Sequence, residues 1–168
     1  MRSRARALGH PIHQMLIVFP LGLLTTAVVF DVLGLITDRP GFAVTSAYMI
    51  AAGVVGGVVA GIFGLVDWLA VPPGTRARRV GLLHGAGNVV VLLLFAVSFL
   101  LRGAADDWAP NAWALVLGFA GFAVAGVTGW LGGELVDRLG VGVDEGANVD
   151  APSSLSRRPV PRMTTGME

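Results

Sequence analysis

The chain of 168 residues has no cysteine and no lysine, and only 14% of its residues are charged. The absence of cysteine excludes disulfides, cysteine-based zinc sites and iron–sulfur ligation by this chain. The absence of lysine excludes Schiff-base chemistry. Because a soluble domain carries about 25% charged residues, the low charge content indicates a surface that faces lipid.

Apolar residues and glycine dominate instead. Hydrophobic residues make up 54% of the chain and 24 residues are glycine, with a mean hydropathy of +0.73. Glycine suits close helix contacts in a bilayer. The formal net charge of +1 provides no concentrated basic surface, which argues against nucleic acid as a partner. The expected surroundings are therefore a lipid bilayer.

Four apolar runs reach the roughly 20 residues that a helix needs to cross the hydrocarbon core. They are Gln14–Ile36, Val44–Leu69, Val80–Leu101 and Trp113–Leu131. Short connectors between them predict that consecutive helices are antiparallel neighbours. The predicted fold class is all-α, an integral membrane four-helix antiparallel bundle, and no strong internal repeat is visible.

Composition divides the chain into three parts. Residues 1–9 are predicted to form a basic cytoplasmic N-terminus, residues 10–143 the four-helix transmembrane domain, and residues 144–168 a disordered cytoplasmic tail rich in proline, serine and glycine. Ten arginines lie at the chain ends or between the second and third helices, and only Arg39 and Arg102 lie on the other side. The positive-inside rule therefore predicts that both termini are cytoplasmic.

Polar ionisable residues occur at the cytoplasmic end of every predicted helix. They are His10 and His13 in the first helix, Asp67 in the second, His84 with Asn88 in the third, and Glu134 in the fourth. Odd-numbered helices begin on this side and even-numbered helices end there, so we expect these side chains at one level of the bundle. Ionisable groups at a lipid boundary are costly and often mark a working site.

Two kinds of ligand would suit this set of residues. Three imidazoles with Asp67 and Glu134 as carboxylates would suit a transition metal such as Fe, Zn or Mn. Alternatively, His13 and His84 could hold the iron of haem b from opposite sides. Asn88 lies four residues after His84 on the same helix face and would support that ring without binding the metal.

Other interpretations of the cluster stay open. The same residues would serve as a structural polar cluster that ties helix ends together, or as a pathway for protons or solutes. No P-loop, H-E-x-x-H, G-x-S-x-G or dinucleotide fingerprint is present. The sequence therefore identifies no catalytic residue and does not favour an enzyme.

Two further features carry weaker predictions. Asp31 in the outer half of the first helix is predicted to pair with Arg39 or Arg102, with a functional carboxylate as the alternative. Glycines recur at four-residue spacing in two helices, which predicts close packing within the bundle or an oligomer contact. They are Gly53, Gly57 and Gly61 in the second helix and Gly129 and Gly133 in the fourth.

Five short segments together carry a family resemblance. They are His10–His13, Leu16–Gly22, Gly64–Trp68, Arg78–His84 with Asn88, and Gly129–Val136. From about Gly9 to Val143 the chain resembles the domain-of-unknown-function 2231 family of bacterial four-helix membrane proteins. The resemblance implies the bacterial inner membrane as the location and implies no assigned activity.

The family's recurring polar positions fall on the residues already singled out: His10, His13, Asp67, His84, Asn88 and Glu134. Some members are fused or adjacent to Rieske-type iron–sulfur domains, which implies a link to electron transfer. Many relatives carry an aromatic residue and a histidine after the last glutamate, where this chain has Asp137 and Leu139. We therefore expect a metal- or haem-binding, redox-linked membrane subunit with a membrane redox partner. The alternatives are a small proton or solute transporter, or a structural subunit that binds a partner or a second copy of itself.

Overall fold

The structure, a computed structural model, describes residues 1–105 and 107–156. Over these residues the chain forms two very short strands and five α-helices. They are β1 Arg6–Ala7, β2 His10–Pro11, α1 Ile12–Leu16, α2 Val18–Thr37, α3 Pro40–Leu69, α4 Arg76–Arg102 and α5 Ala112–Gly133, followed by a π-helical turn at Glu134–Arg138. Four segments are long and apolar enough to cross a membrane: α1 with α2, α3, α4, and α5 with the π-helical turn. The predicted all-α four-helix membrane bundle is confirmed.

Local chemistry explains where the helices begin and break. Pro20 has no N–H to donate to the carbonyl of residue 16, and the first span is interrupted at Ile17, between α1 and α2. Pro40 occupies the first position of α3, where its missing N–H costs nothing. Thr75 caps α4 by accepting a hydrogen bond from the Arg78 N–H. Consequently α3 and α4 each begin four residues earlier than the apolar runs predict.

The helices form a closed ring in which each one packs against its neighbours in sequence, and α2 also packs against α5. The connections between consecutive spans are short, so neighbouring helices run antiparallel. A buried apolar cluster occupies the middle of the bundle and consists of Leu24, Ala27, Val28, Ile50, Val91 and Phe95. This cluster separates the end of the bundle that carries His13 and His84 from the end that carries Asp31 and Arg102.

The bundle consists of two helical hairpins with matching contacts: the first hairpin is α1, α2 and α3, and the second is α4 and α5. In each hairpin a histidine bonds to a carbonyl of the second helix, His13 to Ala60 and His84 to Thr128. The histidines are 71 positions apart (13 and 84), and the carbonyl residues are 68 positions apart (60 and 128).

Further contacts recur at the same two offsets. A Cβ on Gly53 would lie 2.6 Å from Leu24, and one on Gly121 would lie 2.9 Å from Phe95. The Ser46 hydroxyl donates to the Ala27 carbonyl, and the Ser98 hydroxyl donates to the Ala114 carbonyl. Positions 27 and 98 differ by 71 and positions 46 and 114 differ by 68. The serine is on the second helix of the first hairpin but on the first helix of the second hairpin. The structure thus reveals an internal repeat that is not visible in the sequence.

The N-terminal residues and the segment that follows the π-helical turn pack against each other at the end of the bundle where α1 begins. The strands β1 and β2 pair antiparallel. The Met1 amine donates to the Gly140 carbonyl at 2.9 Å, and the Gly142 N–H donates to the Met1 carbonyl at 2.9 Å. Asp144 accepts hydrogen bonds from Arg2 and Arg6. The disorder predicted for residues 144–168 stays a prediction, and residues 157–168 lie outside the described residues.

The repeated glycines divide into two groups. A Cβ on Gly57 would lie 2.5 Å from Leu92, so Gly57, like Gly53, allows helices to approach closely. No atom of another part of the described chain lies within 4 Å of a Cβ on Gly61, Gly129 or Gly133. Packing within the bundle therefore explains the first group, and the second group faces away from the neighbouring helices.

Candidate functional site

His13 and His84 lie side by side at the end of the bundle where α1 and α4 begin. Their ring centroids are 6.4 Å apart and the ring planes are nearly perpendicular, at 89°. Both side chains are half-buried. This is the pairing of the first and third spans that the sequence predicts for these two residues.

Each ring is anchored through the same nitrogen. His13 Nδ1 donates to the carbonyl oxygen of Ala60 at 2.8 Å, and His84 Nδ1 donates to the carbonyl oxygen of Thr128 at 2.8 Å. A carbonyl can only accept, so each Nδ1 carries the proton and the neutral ring keeps its lone pair on Nε2. A backbone carbonyl on the far nitrogen is also the usual support of a metal-binding histidine.

Glycines make room for both rings. A Cβ on Gly64 would lie 2.9 Å from His13 Nδ1, and a Cβ on Gly132 would lie 3.1 Å from His84 Cε1. Each of these glycines follows the carbonyl acceptor by four residues, so it lies one turn further along the same helix face. Any larger residue at either position would push the imidazole away from its carbonyl.

Asn88 supports His84, as its position on the same helix face suggests. Its Nδ2 donates to the His84 carbonyl at 2.8 Å and lies 3.3 Å from His84 Nε2. Its Oδ1 accepts from the Thr128 hydroxyl at 3.2 Å. Asn88 therefore links the two residues that form the His84 anchor, and a ligand on His84 Nε2 would displace its amide from that nitrogen.

Asp67 bonds to the N-terminal segment. Both of its carboxylate oxygens accept from the Ser3 hydroxyl at 2.7 Å, and Oδ1 also accepts the backbone N–H groups of Arg4 and Ala5 at 2.7 and 3.1 Å. Ser3 is buried. The carboxylate thus holds the N-terminal segment against the end of α3.

Glu134 and His10 also have other partners. Glu134 forms an ion pair with Arg76 at 2.5 Å, and the exposed His10 Nε2 lies 3.3 Å from the Ser154 hydroxyl. Within residues 1–105 and 107–156, no three histidine, aspartate or glutamate side chains are grouped closely enough to hold one metal ion. His10, His13, His84, Asp67 and Glu134, which the sequence places at one level of the bundle, therefore do not form a single metal site among these residues. Asp67 and Glu134 bond instead to Ser3 and Arg76. A ligand role for any of these residues stays a prediction.

The opposite end of the bundle contains a buried ion pair. Arg102 Nη1 and Nη2 donate to the two Asp31 oxygens at 2.7 and 2.6 Å, and Nη1 lies 3.3 Å from the Ser46 hydroxyl. Arg102 is 0% exposed and Asp31 is 4% exposed. The predicted pairing of Asp31 with one of the two outer arginines is confirmed for Arg102. Positions 31 and 102 also differ by 71, so equivalent positions of the two hairpins face each other here, as at the histidines.

Among the described residues outside the spans, Asp144 has a pKa shift that bears on stability. The hydrogen bond from Arg6 makes the largest contribution to lowering the pKa of the Asp144 carboxyl, and the hydrogen bond from Arg2 makes the next largest. The charges of both arginines lower this pKa further. The ionised form of Asp144 is therefore favoured in the folded protein.

The partners of the two histidines could not be identified from composition or helix ends. Ala60 and Thr128 contribute backbone carbonyls, which no residue type signals. Gly64 and Gly132 do give a signal in the sequence. Each lies one turn beyond its carbonyl residue, in the helix that packs against a histidine-bearing helix. To recognise this pattern, the first helices of the two hairpins must be aligned with an offset of 71 residues and the second helices with an offset of 68.

Comparison with known proteins identifies a family. The sequence pattern of a family described as predicted membrane protein matches residues 9–145. No curated protein and no solved structure matches the chain. Because the matched region covers most of the 168 residues, the chain belongs to the domain-of-unknown-function 2231 family of predicted membrane proteins.

Proposed function

We propose that this membrane protein binds a redox-active metal group through the Nε2 atoms of His13 and His84, and that the group is haem b. The observation that carries the proposal is the matched anchoring of the two rings, each with Nδ1 on a carbonyl at 2.8 Å and with centroids 6.4 Å apart. Carbonyl anchoring leaves both Nε2 lone pairs as metal donors.

The number of donors distinguishes the candidate metals. Zinc takes three or four ligands from the protein, and the described residues bring together two imidazoles without a third ligand. A haem would need only one or two side chains of the protein to hold its iron, and histidine is a common one. Two imidazoles supplied by different spans fit that requirement. When bound, the haem would supply one-electron redox chemistry.

The protein's own contribution is to position and tune the two nitrogens. The carbonyls of Ala60 and Thr128 fix ring orientation and raise the basicity of each Nε2. Gly64 and Gly132 let each ring lie against the neighbouring helix. The predicted transition-metal ligands His10, Asp67 and Glu134 have no part in this proposal, whereas Asn88 keeps its supporting role.

The buried apolar cluster argues against the transporter alternative. This cluster lies between the histidine end of the bundle and the Asp31–Arg102 end. It contains Leu24, Val28 and Ile50 from the first hairpin and Val91 and Phe95 from the second. A proton or solute path along the bundle axis would have to cross this layer, where hydration is costly. The other alternative is a structural role, in which the two histidines only tie helices together. That alternative predicts that the protein binds no metal group.

The proposal includes a location and a partner. We propose that the protein lies in the bacterial inner membrane with both termini cytoplasmic, on the strength of the ten-to-two arginine asymmetry. Reporter fusions after Arg39 and after Arg102 should read as outside, and a C-terminal fusion should read as inside. The partner would be a membrane redox protein or a second copy of the chain.

Absorption spectroscopy of protein purified in mild detergent tests the proposal. The wild type, as isolated or after incubation with hemin, should show a Soret band at a ratio of one haem per chain. His13→Ala and His84→Ala should lose the band and stay folded. His10→Ala is the matched control, because His10 is exposed and its Nε2 lies beside the Ser154 hydroxyl. A wild type without a Soret band after hemin incubation would contradict the proposal.

A further inference from the structure

An open groove lies between the end of α2 and the start of α3, at the end of the bundle that carries the Asp31–Arg102 pair. It encloses about 260 Å³ and is lined by Phe30, Arg39, Gly41, Phe42 and Thr45. The two phenyl rings stack with their centroids 5.8 Å apart. The groove therefore has an aromatic wall beside a single cationic side chain.

Arg39 brings a positive charge to the groove that no carboxylate of the described chain neutralises. None of the ion pairs within the part of the chain that the structure describes includes Arg39, and its side chain is exposed. Asp38 precedes it but does not line the groove. The other arginine at this end, Arg102, is buried against Asp31. The groove is thus suited to a ligand with a negative charge.

The depth of the groove in the bilayer matches a phospholipid. The helix α3 has 30 residues and is therefore about 45 Å long, whereas the hydrocarbon core is about 30 Å thick. Arg39 directly precedes this helix, so it lies at the level of the lipid headgroups. Phe30 lies two helical turns before the end of α2, at the level of the acyl chains. The groove thus runs from a cation among headgroups to an aromatic surface among acyl chains.

Tyr48 supplies a second hydrogen-bond donor beside the groove. It lies three residues after Thr45 and seven after Gly41, so it shares their face of α3, and it is 66% exposed. Helical side chains lean towards the N-terminus of their helix, which is the end of α3 that follows Arg39. We therefore expect the Tyr48 hydroxyl on the side of this residue that is nearer to Arg39.

We propose that the groove binds an anionic phospholipid of the surrounding bilayer. The phosphate pairs with the Arg39 guanidinium, an ester carbonyl accepts from the Tyr48 hydroxyl, and an acyl chain lies along Phe30 and Phe42. The guanidinium fork matches the geometry of a phosphate, and tyrosine is typical of membrane interfaces, where its ring lies in lipid and its hydroxyl finds a polar partner. The site is at the opposite end from the histidines and does not depend on the haem proposal.

Native mass spectrometry of the full chain in mild detergent, titrated with phosphatidylglycerol or phosphatidylcholine, tests the site through the affinity for the first bound lipid. The wild type should prefer phosphatidylglycerol, because the ammonium group of phosphatidylcholine offsets its phosphate charge. Arg39→Gln removes an exposed side chain that precedes the helix, so it should keep the Tm but weaken phosphatidylglycerol binding about fivefold. Arg39→Lys keeps the charge and should stay within about twofold of the wild type. Tyr48→Phe should weaken binding about 2–10-fold through the lost hydrogen bond.

Arg79→Gln is the matched control, because Arg79 is an exposed arginine in the first turn of α4, at the histidine end. It should change phosphatidylglycerol binding less than Arg39→Gln does. The lipid site is overturned if the wild type binds both lipids equally, or if Arg39→Gln binds phosphatidylglycerol like the wild type. Equal losses in the two glutamine variants would also overturn it, since they would indicate a general attraction between arginines and anionic lipid. Competition by glycerol phosphate at the same concentrations would overturn it in favour of a soluble anion.

Discussion

Removal of the Asp31 carboxylate should destabilise the protein far more than removal of a surface carboxylate. Arg102 is 0% exposed and donates its two shortest hydrogen bonds, at 2.6 and 2.7 Å, to Asp31. In Asp31→Ala the guanidinium would stay buried with only Ser46 nearby. Breaking a buried ion pair by removing one partner costs about 3–5 kcal/mol. For a chain of this size that loss corresponds to a fall in Tm of roughly 6–20 °C.

Thermal unfolding in one detergent is the assay, and two further variants make it specific. Asp137→Ala removes an exposed carboxylate and should change stability by no more than about 0.5 kcal/mol. Asp31→Ala combined with Arg102→Met should regain most of the loss, because no uncompensated charge remains. The reasoning is refuted if Asp31→Ala behaves like Asp137→Ala, or if the double variant is as unstable as the single one.

Three other predictions concern packing, pH and the repeat. Gly57→Leu should prevent normal assembly, because its Cβ position is 2.5 Å from a leucine of α4, whereas Gly61→Leu should express and migrate like the wild type; size-exclusion chromatography decides. The lowered pKa of Asp144 gives a stability contribution that is present above the pKa of the unfolded carboxyl and is lost as the pH falls through the lower folded value; Asp144→Asn should flatten the acid limb of a Tm–pH curve. A circular permutant should fold if the chain is opened after Gly74 and the end of the transmembrane domain is joined to Met1, since Met1 already bonds to the segment after the last helix. Loss of its thermal transition would contradict the two-hairpin description.

The spans could be predicted because lipid imposes a simple rule on a helix, about 20 apolar residues in a row. Their ends could not be placed as well, since caps and prolines decide them. Because Thr75 caps α4, that helix begins at Arg76, before the apolar run. Pro40 likewise begins α3 before its apolar run. The first turn of α4, which contains three arginines, therefore belongs to the helix although it lies outside the apolar run.

The candidate site was predictable only in part. His13 and His84 meet because both lie at the starts of spans that begin at the same end, which the sequence shows. The fate of Asp67 depends on Ser3 and on two backbone N–H groups that fold back over α3, and no periodicity reports such a loop. The repeat stayed hidden because equivalent positions hold unlike residues, Asp31 against Arg102.

The absorption spectrum of the protein in mild detergent, recorded with and without hemin, is the most direct test of the central claim that His13 and His84 hold a redox-active metal group. The account predicts a Soret band in the wild type and in His10→Ala, and its loss in folded His13→Ala and His84→Ala. A folded wild type that shows no Soret band and binds no hemin would contradict it, and the two anchored imidazoles would then be ties between helices.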